Sequence, residues 1–432
     1  MRPRSLGLVF AGILLCAPVV FCADAQAQSV SYAWGANIGS SAYDRGYDVA
    51  IDAAGDVYHV GDTWGQMGDS STPPDGYIVK LDLAGQRLWT KQLSEDILTP
   101  FGVAGAPGGG ILVSGCGAGY GGSPDYGEGD MAVAKYDAAG NLIWAVAGGG
   151  DRQDQGRAIA VDSQGNSYVV GYTWSGWGQP KVDSFTDAFI CKVSAAGQLE
   201  WVRQYGGAGQ DDSYAVAVDA QGNAYMAGTT EGSIGGPNAG STDVFVVKLA
   251  PDGTELWARQ YGTASWDFSR AITADGLGNV YVAESTLLRK LTQDGDLVWA
   301  KPMPPSPLGG HAQAYVLQVA SDGVGGVLAG CMTYGSYAAP GFNVDLVLAR
   351  LDGAGNMTWA IQVPGDYYPW GIAYDGISRA YVSGEVYGAL PGSTYAGGSL
   401  DGFVAAFDVV VPEPATLLLL ALGGLALFRR HR

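Results

Sequence analysis

The sequence predicts an all-β protein, a seven-bladed β-propeller built from four-stranded blades. Its 432 residues include 68 Gly, 24 Tyr and 12 Trp but only 15% charged side chains, a composition that favours many short strands joined by tight turns. A Trp recurs seven times at intervals of 42 to 60 residues, and a period of this size is typical of propellers, solenoids and other repeat arrays. The recurrent residues are Trp34, Trp89, Trp144, Trp201, Trp257, Trp299 and Trp359.

The clearest repeat unit spans residues 156–205 and contains four apolar segments of strand length. These segments, designated strands a to d, are 157–162, 167–173, 187–193 and 199–205. They are rich in β-branched and aromatic residues, and Gly occupies connecting turns that need a positive φ. The second and sixth copies are degenerate. In the fifth copy Glu284 runs almost straight into Leu287, so the long b–c loop is lost.

The two ends of the repeat array are complementary. The first Trp unit, residues 30–35, reads as a strand d with no strand c before it, and the last copy ends in a strand c at residues 402–408. Pairing these two strands completes a seventh blade and closes the ring, which removes the exposed sheet edges that an open array would leave. We therefore expect the N-terminal strand to join the last blade.

The repeats resemble those of a known family. Units such as 157–173 and 216–228, with an apolar strand, an Asp before a Gly turn and a second apolar strand, resemble the SBBP (β-propeller repeat) family of bacterial surface proteins. The resemblance extends over roughly residues 30–410 and implies the propeller fold.

Residues 1–27 are typical of a secretory signal peptide. Arg2 and Arg4 precede an apolar run from Leu6 to Val20, and Ala-x-Ala cleavage sites follow within residues 23–27. We expect an exported protein whose mature part begins near residue 28 and whose propeller domain covers residues 28–410.

The C-terminal segment, residues 411–432, has three parts. Pro412, Glu413 and Pro414 precede an apolar stretch, which is followed by Arg429 and Arg430. An apolar stretch of this kind is also found in a plain tail anchor, whose basic end would stay in the cytoplasm. The order and terminal placement resemble the PEP-CTERM sorting signal of Gram-negative bacteria. That resemblance implies transient insertion of an apolar helix in the inner membrane, processing by an exosortase-type enzyme, and delivery to the cell surface or an exopolysaccharide matrix.

The charge balance argues against nucleic acid as a partner. The formal net charge is −19, and without the two terminal segments 18 basic residues face 40 acidic ones. Such a body repels phosphate backbones and attracts cations.

Two repeated side chains have a structural interpretation. An Asp ends strand a in five copies, where its carboxylate can accept hydrogen bonds from turn amides. The strand-d Trp recurs at one register, which predicts packing between blades. The Asp positions are Asp52, Asp162, Asp219, Asp275 and Asp375.

A second Asp series lies eight residues earlier, in the connection from one strand d to the next strand a. We interpret it first as a structural feature of the repeat, with calcium binding as the alternative because carboxylates are hard oxygen ligands. No other cofactor is expected. The series comprises Asp44, Asp154, Asp211 and Asp267.

The b–c loops are the divergent part of the repeat and share a face with these connections. Copies that agree in their strands but differ in one set of loops place function on that face. Aromatic rings beside Asp and Asn suit sugars, although solvated loops with incidental aromatics remain an alternative. The candidate ligand-face aromatics are Trp64, Tyr120, Trp174, Trp177, Tyr334 and Tyr337.

No catalytic motif was found. The sequence has no His-Glu-x-x-His, Gly-x-Ser-x-Gly or P-loop, and His59 lies on a strand, where a core role is expected. We therefore predict a non-catalytic binding or structural module, sorted to the surface or matrix and associated with exopolysaccharide. The alternative is an extracellular lyase or glycosidase that uses carboxylates on the b–c loop face.

Overall fold

In the computed structural model every regular element is a β-strand, within the residues that the structure describes. These are residues 30–67, 75–93, 99–117, 129–181, 183–303, 314–334 and 344–411. Twenty-eight strands form seven antiparallel four-stranded sheets. The predicted all-β, seven-bladed propeller is confirmed.

Each blade follows the predicted a-to-d order along the chain. Blade 1 contains β2 (Asp44–Ile51), β3 (Val57–Thr63), β4 (Asp75–Leu81) and β5 (Arg87–Gln92); blade 2 contains β6 (Thr99–Gly105), β7 (Ile111–Gly117), β8 (Asp130–Tyr136) and β9 (Leu142–Gly148). Blade 3 contains β10 (Asp154–Val161), β11 (Ser167–Thr173), β12 (Asp187–Val193) and β13 (Leu199–Tyr205); blade 4 contains β14 (Asp211–Val218), β15 (Ala224–Thr230), β16 (Asp243–Leu249) and β17 (Glu255–Tyr261). Blade 5 contains β18 (Ser269–Ala274), β19 (Asn279–Glu284), β20 (Leu287–Thr292) and β21 (Leu297–Pro302); blade 6 contains β22 (Ala314–Ser321), β23 (Val327–Tyr334), β24 (Val344–Leu351) and β25 (Met357–Val363).

Blade 7 closes the ring with strands from both ends of the array. It contains β26 (Tyr367–Tyr374), β27 (Arg379–Val386), β28 (Asp401–Val409) and β1 (Val30–Ile38). Strand β1 runs antiparallel to β28, with Val30 opposite Val409 and Ile38 opposite Gly402. The predicted closure is therefore confirmed.

The hydrophobic core lies between the blades. In blade 3 every residue of β12 is buried, whereas β13 begins with two exposed residues and is otherwise half-buried. Inner strands b and c read as continuous apolar runs because neighbouring blades cover both of their faces. Strand d forms the outer edge of each blade and is less buried than strands b and c.

The strand-d Trp residues join neighbouring blades, as predicted. The indole Nε1 of Trp201 donates a 3.1 Å hydrogen bond to the carbonyl of Pro251 in the c–d turn of the next blade. Gly253 in that turn has a φ of +80°, and a Cβ there would come within 2.8 Å of the Trp201 ring. Equivalent bonds reach the next c–d turn from Trp34, Trp89, Trp144, Trp257 and Trp299.

The Asp at the end of strand a holds the a–b turn, which confirms its structural interpretation. Oδ1 of Asp162 accepts hydrogen bonds from the amides of Gln164 and Asn166, each at 2.9 Å, and the Asn166 side chain donates to Oδ2. Short polar side chains cap turns in this way because they replace a backbone acceptor.

Every strand a carries one β-bulge near its start. A bulge inserts an extra residue into one strand and re-aims its side chain. The inserted residues, one in each blade, are Tyr47, Phe101, Arg157, Tyr214, Arg270, Leu317 and Trp370.

Candidate functional site

The bulges build a cavity on the propeller axis. Strand a lines the axis in each blade, and six of the seven inserted side chains face one cavity of about 270 Å³, which we call the axial pocket. Gln318 represents blade 6. The lining residues are Tyr43, Arg45, Tyr47, Phe101, Arg157, Tyr214, Arg270, Gln318, Trp370 and Glu385.

The axial pocket opens on the predicted face. Tyr43 lies in a d–a connection, and its carbonyl accepts a 2.9 Å hydrogen bond from the amide of Trp64, which starts a b–c loop. The d–a connections and b–c loops therefore meet at this end of the ring, and the pocket lies at their centre.

Two arginines in the pocket rest against aromatic rings. The Arg157 guanidinium lies 4.5 Å from the Phe101 ring centre and 5.2 Å from that of Tyr172. That of Arg270 lies 5.7 Å from the Tyr214 ring and 5.4 Å from the Trp370 ring. Guanidinium groups are attracted to aromatic rings, so these contacts help to hold the two arginines in the pocket.

The third arginine, Arg45, is engaged by neighbours. Its Nε donates a 3.1 Å hydrogen bond to the Tyr43 hydroxyl and lies 3.9 Å from a carboxylate oxygen of Glu385. Its guanidinium is also 5.7 Å from the ring of Trp64. Trp64, a sequence-predicted site residue, thus lies at the rim of the pocket and is 44% exposed.

Two carboxyl groups at this site hold their protons more tightly than usual. Burial raises the pKa of Glu385 to about 7, against the opposing charge of Arg45. Burial also raises the pKa of Asp62 to about 6, again opposed by Arg45. Both groups therefore change charge near neutral pH, where a carboxylate in water is fully ionised.

His59 belongs to the wall beneath the pocket. It is fully buried, with Nδ1 3.0 Å from the Asp48 carbonyl and Nε2 3.1 Å from the Tyr77 hydroxyl. Burial lowers the pKa of its imidazole to about 3, so the ring is neutral. The expected core role of His59 is confirmed.

The other sequence-predicted aromatics fall into three groups. Trp174 is half-buried, with the Arg152 guanidinium 5.6 Å from its ring centre. Trp177 is only 9% exposed and packs edge-on against Phe189 at 4.9 Å, so its ring offers a ligand little surface. Tyr120, Tyr337 and the Tyr334 side chain lie outside the described residues.

The second Asp series caps the d–a connections. Oδ2 of Asp211 accepts a 2.7 Å hydrogen bond from the Gly207 amide, and the Thr230 hydroxyl donates to Oδ1. Burial, together with the Asp187 carboxylate of the preceding blade, still raises the pKa of Asp211 to about 6. Asp44, Asp154 and Asp267 accept equivalent amide bonds from the residue four positions earlier.

These hydrogen bonds give the series a structural role, and its calcium alternative stays a prediction. Within the described ranges, no three His, Cys, Asp or Glu side chains are grouped so as to hold a metal ion. In the same ranges Cys116, Cys191 and Cys331 are free thiols, and no helix is long and apolar enough to cross a bilayer. The sorting-signal residues Pro412, Glu413, Pro414, Arg429 and Arg430 lie outside those ranges, as does the predicted signal peptide.

Comparison with family models identifies both the repeats and the C-terminal segment. The β-propeller repeat model, SBBP, matches residues 147–176, 200–236 and 256–286. The PEP-CTERM protein-sorting motif matches residues 410–432. The chain thus carries SBBP-type β-propeller repeats and a C-terminal PEP-CTERM sorting motif. The motif supports export by way of a membrane-anchored precursor in a Gram-negative bacterium and implies processing by an exosortase-type system.

Individual proteins similar to this chain share only part of its sequence or only its fold. It is 30% identical over 171 residues to the regulatory protein FlaEY of Caulobacter vibrioides, a match that covers 36% of this chain and 18% of that protein. The chain therefore spans less than a fifth of that relative's length.

Among solved structures, Raptor of Chaetomium thermophilum aligns with a TM-score of 0.51 at 8% identity, over 88% of this chain and 29% of that one. This likeness shows the fold alone. A gluconolactonase of Xanthomonas campestris aligns with a TM-score of 0.38 at 14% identity, over 68% of this chain and 87% of that one.

Sequence reasoning missed most of the axial pocket. Arg157, Tyr214 and Arg270 each lie three residues after an Asp of the second series, at a position where the repeats disagree in residue type. That disagreement, close to an Asp that recurs in four repeats, was the available signal. The sequence did not show that this position faces the axis, because the β-bulge that turns it there cannot be recognised from the hydrophobic pattern.

Proposed function

We propose that this exported propeller is a non-catalytic binding module that attaches to exopolysaccharide through the axial pocket. The observation that carries the proposal is the ring of aromatic side chains, contributed by four different blades, around one open cavity. Sugar rings present an apolar face to an aromatic side chain and hydroxyl groups to polar neighbours.

The export of the protein supports this choice of ligand. A PEP-CTERM signal directs a protein to export, where cell-surface glycans are abundant potential partners. A closed propeller also supplies a rigid frame, so that side chains from separate blades reach the pocket in fixed positions.

A polysaccharide-active enzyme is the second candidate, and one observation favours it. Glu385 and Asp62 lie near the same Arg45, and each has a pKa raised to between about 6 and 7. A protonated carboxyl beside an ionised one is the arrangement that glycoside hydrolysis uses. Glu385 would then be the acid.

Retention on the host's own exopolysaccharide tests the proposal. The full chain, solubilised in detergent, is titrated with the polymer, and the Trp370→Ala variant is compared with Trp266→Ala. Trp266 is 61% exposed and stacks on Phe268 outside the pocket, which makes it a matched control. We expect Trp370→Ala to weaken binding at least tenfold, by analogy with other aromatic anchors, while Trp266→Ala leaves it unchanged.

The same incubation separates the two candidates. Absence of saturable binding, or equal losses in both variants, would overturn binding at the axial pocket. Shortening of the polymer, measured by size-exclusion chromatography and abolished by Glu385→Gln, would replace the binding module with the enzyme.

A further inference from the structure

The two arginines of the axial pocket that stack on aromatic rings have few polar partners. Among the described residues, the Arg157 guanidinium donates one hydrogen bond, at 3.2 Å to the Tyr172 hydroxyl, and that of Arg270 donates none. Neither lies within 4.0 Å of a carboxylate there. Their positive charges therefore remain available to a ligand.

Among the remaining arginines that the structure describes, those that are half-buried or buried all donate hydrogen bonds to nearby acceptors. Arg350 donates two hydrogen bonds to Asp322 at 2.6 and 3.0 Å, and Arg379 donates two to Asp408 at 2.7 and 2.9 Å. Arg203 donates to the carbonyls of Gly253 and Val202. Arg87 and Arg152 are exposed and, among the described residues, their side chains donate no hydrogen bond, but they do not line the axial pocket as Arg157 and Arg270 do.

The net charge of the protein has to be weighed against the local charges of Arg157 and Arg270. The chain carries −19, and an acidic surface repels an anionic polymer at long range. At physiological ionic strength that repulsion is screened beyond about 8 Å, so the local field of Arg157 and Arg270 dominates inside the pocket. Glu385, which lines the pocket, lies 3.9 Å from Arg45. Asp212, beside Tyr214, accepts hydrogen bonds from Thr186, Gln210 and the Tyr214 hydroxyl.

We infer that the axial pocket selects an acidic sugar, a uronic acid unit of the polymer, whose carboxylate is bound by Arg157 and Arg270. This inference rests on the proposed function and names its ligand class. A uronate offers both features that the pocket can recognise, a planar carboxylate for a guanidinium fork and an apolar ring face for an aromatic side chain.

The arrangement of the two arginines fits one shared anion. They lie on blades 3 and 5, and Tyr214 of blade 4 stands between them: the charges of both arginines act on its hydroxyl group. Trp370 approaches Arg270 from blade 7, across the pocket. A carboxylate above Tyr214 would therefore meet a guanidinium on either side, with the Trp370 ring beside the sugar.

The size of the cavity limits the contact to a short piece of polymer. Its volume of about 270 Å³ lies just below the ~300–1,000 Å³ of sites for drug-sized ligands. The pocket therefore accepts one acidic unit of a chain rather than an extended stretch.

The test compares three probes with the full chain in detergent: polygalacturonate, its fully methyl-esterified form and dextran sulfate. We expect polygalacturonate to bind at least tenfold more tightly than the neutral ester. Its affinity should fall with added salt, because the contact is between charges. Dextran sulfate distinguishes a preference for carboxylate from a general preference for anions.

Two variants locate the effect. Arg270→Gln should remove the preference for the acidic polymer, whereas Arg152→Gln, which removes an exposed arginine outside the pocket, should keep it. Arg157→Lys keeps the charge but not the planar fork, and we expect at least a fivefold loss for polygalacturonate. Melting temperatures confirm that each variant is folded.

The outcomes distinguish failure of the uronic acid inference from failure of the proposed exopolysaccharide binding. Equal binding of polygalacturonate and its ester would overturn the choice of an acidic sugar while leaving glycan binding intact. Stronger binding of dextran sulfate, or an equal loss in Arg152→Gln, would also overturn it by showing unspecific attraction of anions. If no probe binds but host exopolysaccharide is still retained, the inference of a uronic acid ligand is overturned and the proposed function stands. If host exopolysaccharide is not retained, the proposed function itself is overturned.

Discussion

The blades carry the same residue where each contacts the next blade's c–d turn, and they carry different residues where strand a faces the propeller axis. The position that faces the next blade's c–d turn is Trp in all seven repeats, and six of these indoles donate to that turn. The bulge position on strand a holds Tyr, Phe, Arg, Leu or Trp, depending on the blade. Repetition therefore marks the contacts that assemble the ring, and variation marks the surface that faces the axis.

The seventh junction shows what the repeated contact depends on. Blade 7 has no c–d turn, because its strands c and d come from opposite ends of the array. The Nε1 of Trp359, which would donate to that turn, is buried without an acceptor in the described part of the chain. Its ring packs instead in a core cluster with Val30 and Val409.

Removal of a framework Trp should have the largest effect. We expect Trp201→Ala to lower the free energy of unfolding by about 2–3 kcal/mol, because it loses the bond to Pro251 and the packing against Tyr168 at 6.0 Å. Trp370→Ala at the axis should cost less than about 1 kcal/mol. Urea unfolding at one protein concentration measures both.

A conservative pair refines the same comparison. Trp201→Phe loses a hydrogen bond that Trp359→Phe does not have, so we expect the first to cost about 1 kcal/mol more than the second. Equal losses at Trp201 and Trp370 would contradict the division into framework and axial positions.

The next largest effect is expected at the a–b turns. Asp219 accepts hydrogen bonds from the amides of Gln221 and Asn223, at 3.0 and 2.9 Å, and from the Tyr225 hydroxyl at 3.0 Å. Asp219→Ala should therefore cost about 1–2 kcal/mol of stability without changing ligand binding. The fully exposed turn residue Asp252 is the control, and its replacement by Ala should cost less. A loss of ligand binding in a folded Asp219→Ala variant would contradict the assignment of turn residues to stability and of axial residues to binding.

The sequence predicted the framework because framework residues repeat. Trp201 and Asp219 have counterparts in most blades, and the half-blades at residues 30–35 and 402–408 predicted the closure. The axial pocket could not be predicted in the same way. Its arginines come from separate blades, and only the packing of blades 3, 4 and 5 around the axis brings Arg157 and Arg270 to either side of Tyr214.

Among the aromatic residues, sequence position alone did not separate surface from core. Trp64 and Trp177 both lie near the start of a b–c loop, one and four residues after strand b respectively, yet Trp64 is 44% exposed and Trp177 is 9% exposed. Trp177 folds back over its own blade because its amide donates a 2.9 Å bond to the Gln204 side chain and its ring meets Phe189. Such a contact between loop and strand d depends on the folded register.

The smallest predicted effect is a pH dependence that arises mainly at the axial end. Five acids there or near it have a pKa raised to about 6 or 7, so the folded state binds protons more tightly than the unfolded chain does. Their contribution to stability is present below about pH 4 and is lost as the pH rises through 6 to 7. Burial raises the pKa of each: about 7 for Asp48 and Glu385, and about 6 for Asp62, Asp154 and Asp211.

His59 acts in the opposite direction. Its pKa is lowered to about 3, so its contribution is present above pH 6.5 and is lost as the pH falls. Because five acids oppose one imidazole, we expect the melting temperature to be about 2–5 °C higher at pH 5 than at pH 7.5. Asp211→Asn and Glu385→Gln should flatten this dependence, whereas Asp252→Asn should not. A melting temperature that rises steadily from pH 5 to 7.5 would contradict the prediction.

Bound calcium, instead of bound protons, is the alternative way to neutralise the buried carboxylates. A bound divalent cation would keep the Asp211–Asp187 pair ionised and would lower both pKa values. If the second Asp series binds calcium, millimolar calcium should raise the melting temperature at pH 7.5 and remove the difference from pH 5, and Asp211→Asn should abolish the response. If protons alone serve that purpose, calcium and magnesium should give the same curve as a chelator. The amide of Gly207 and the hydroxyl of Thr230 already donate to Asp211, and donors in those positions favour the second outcome.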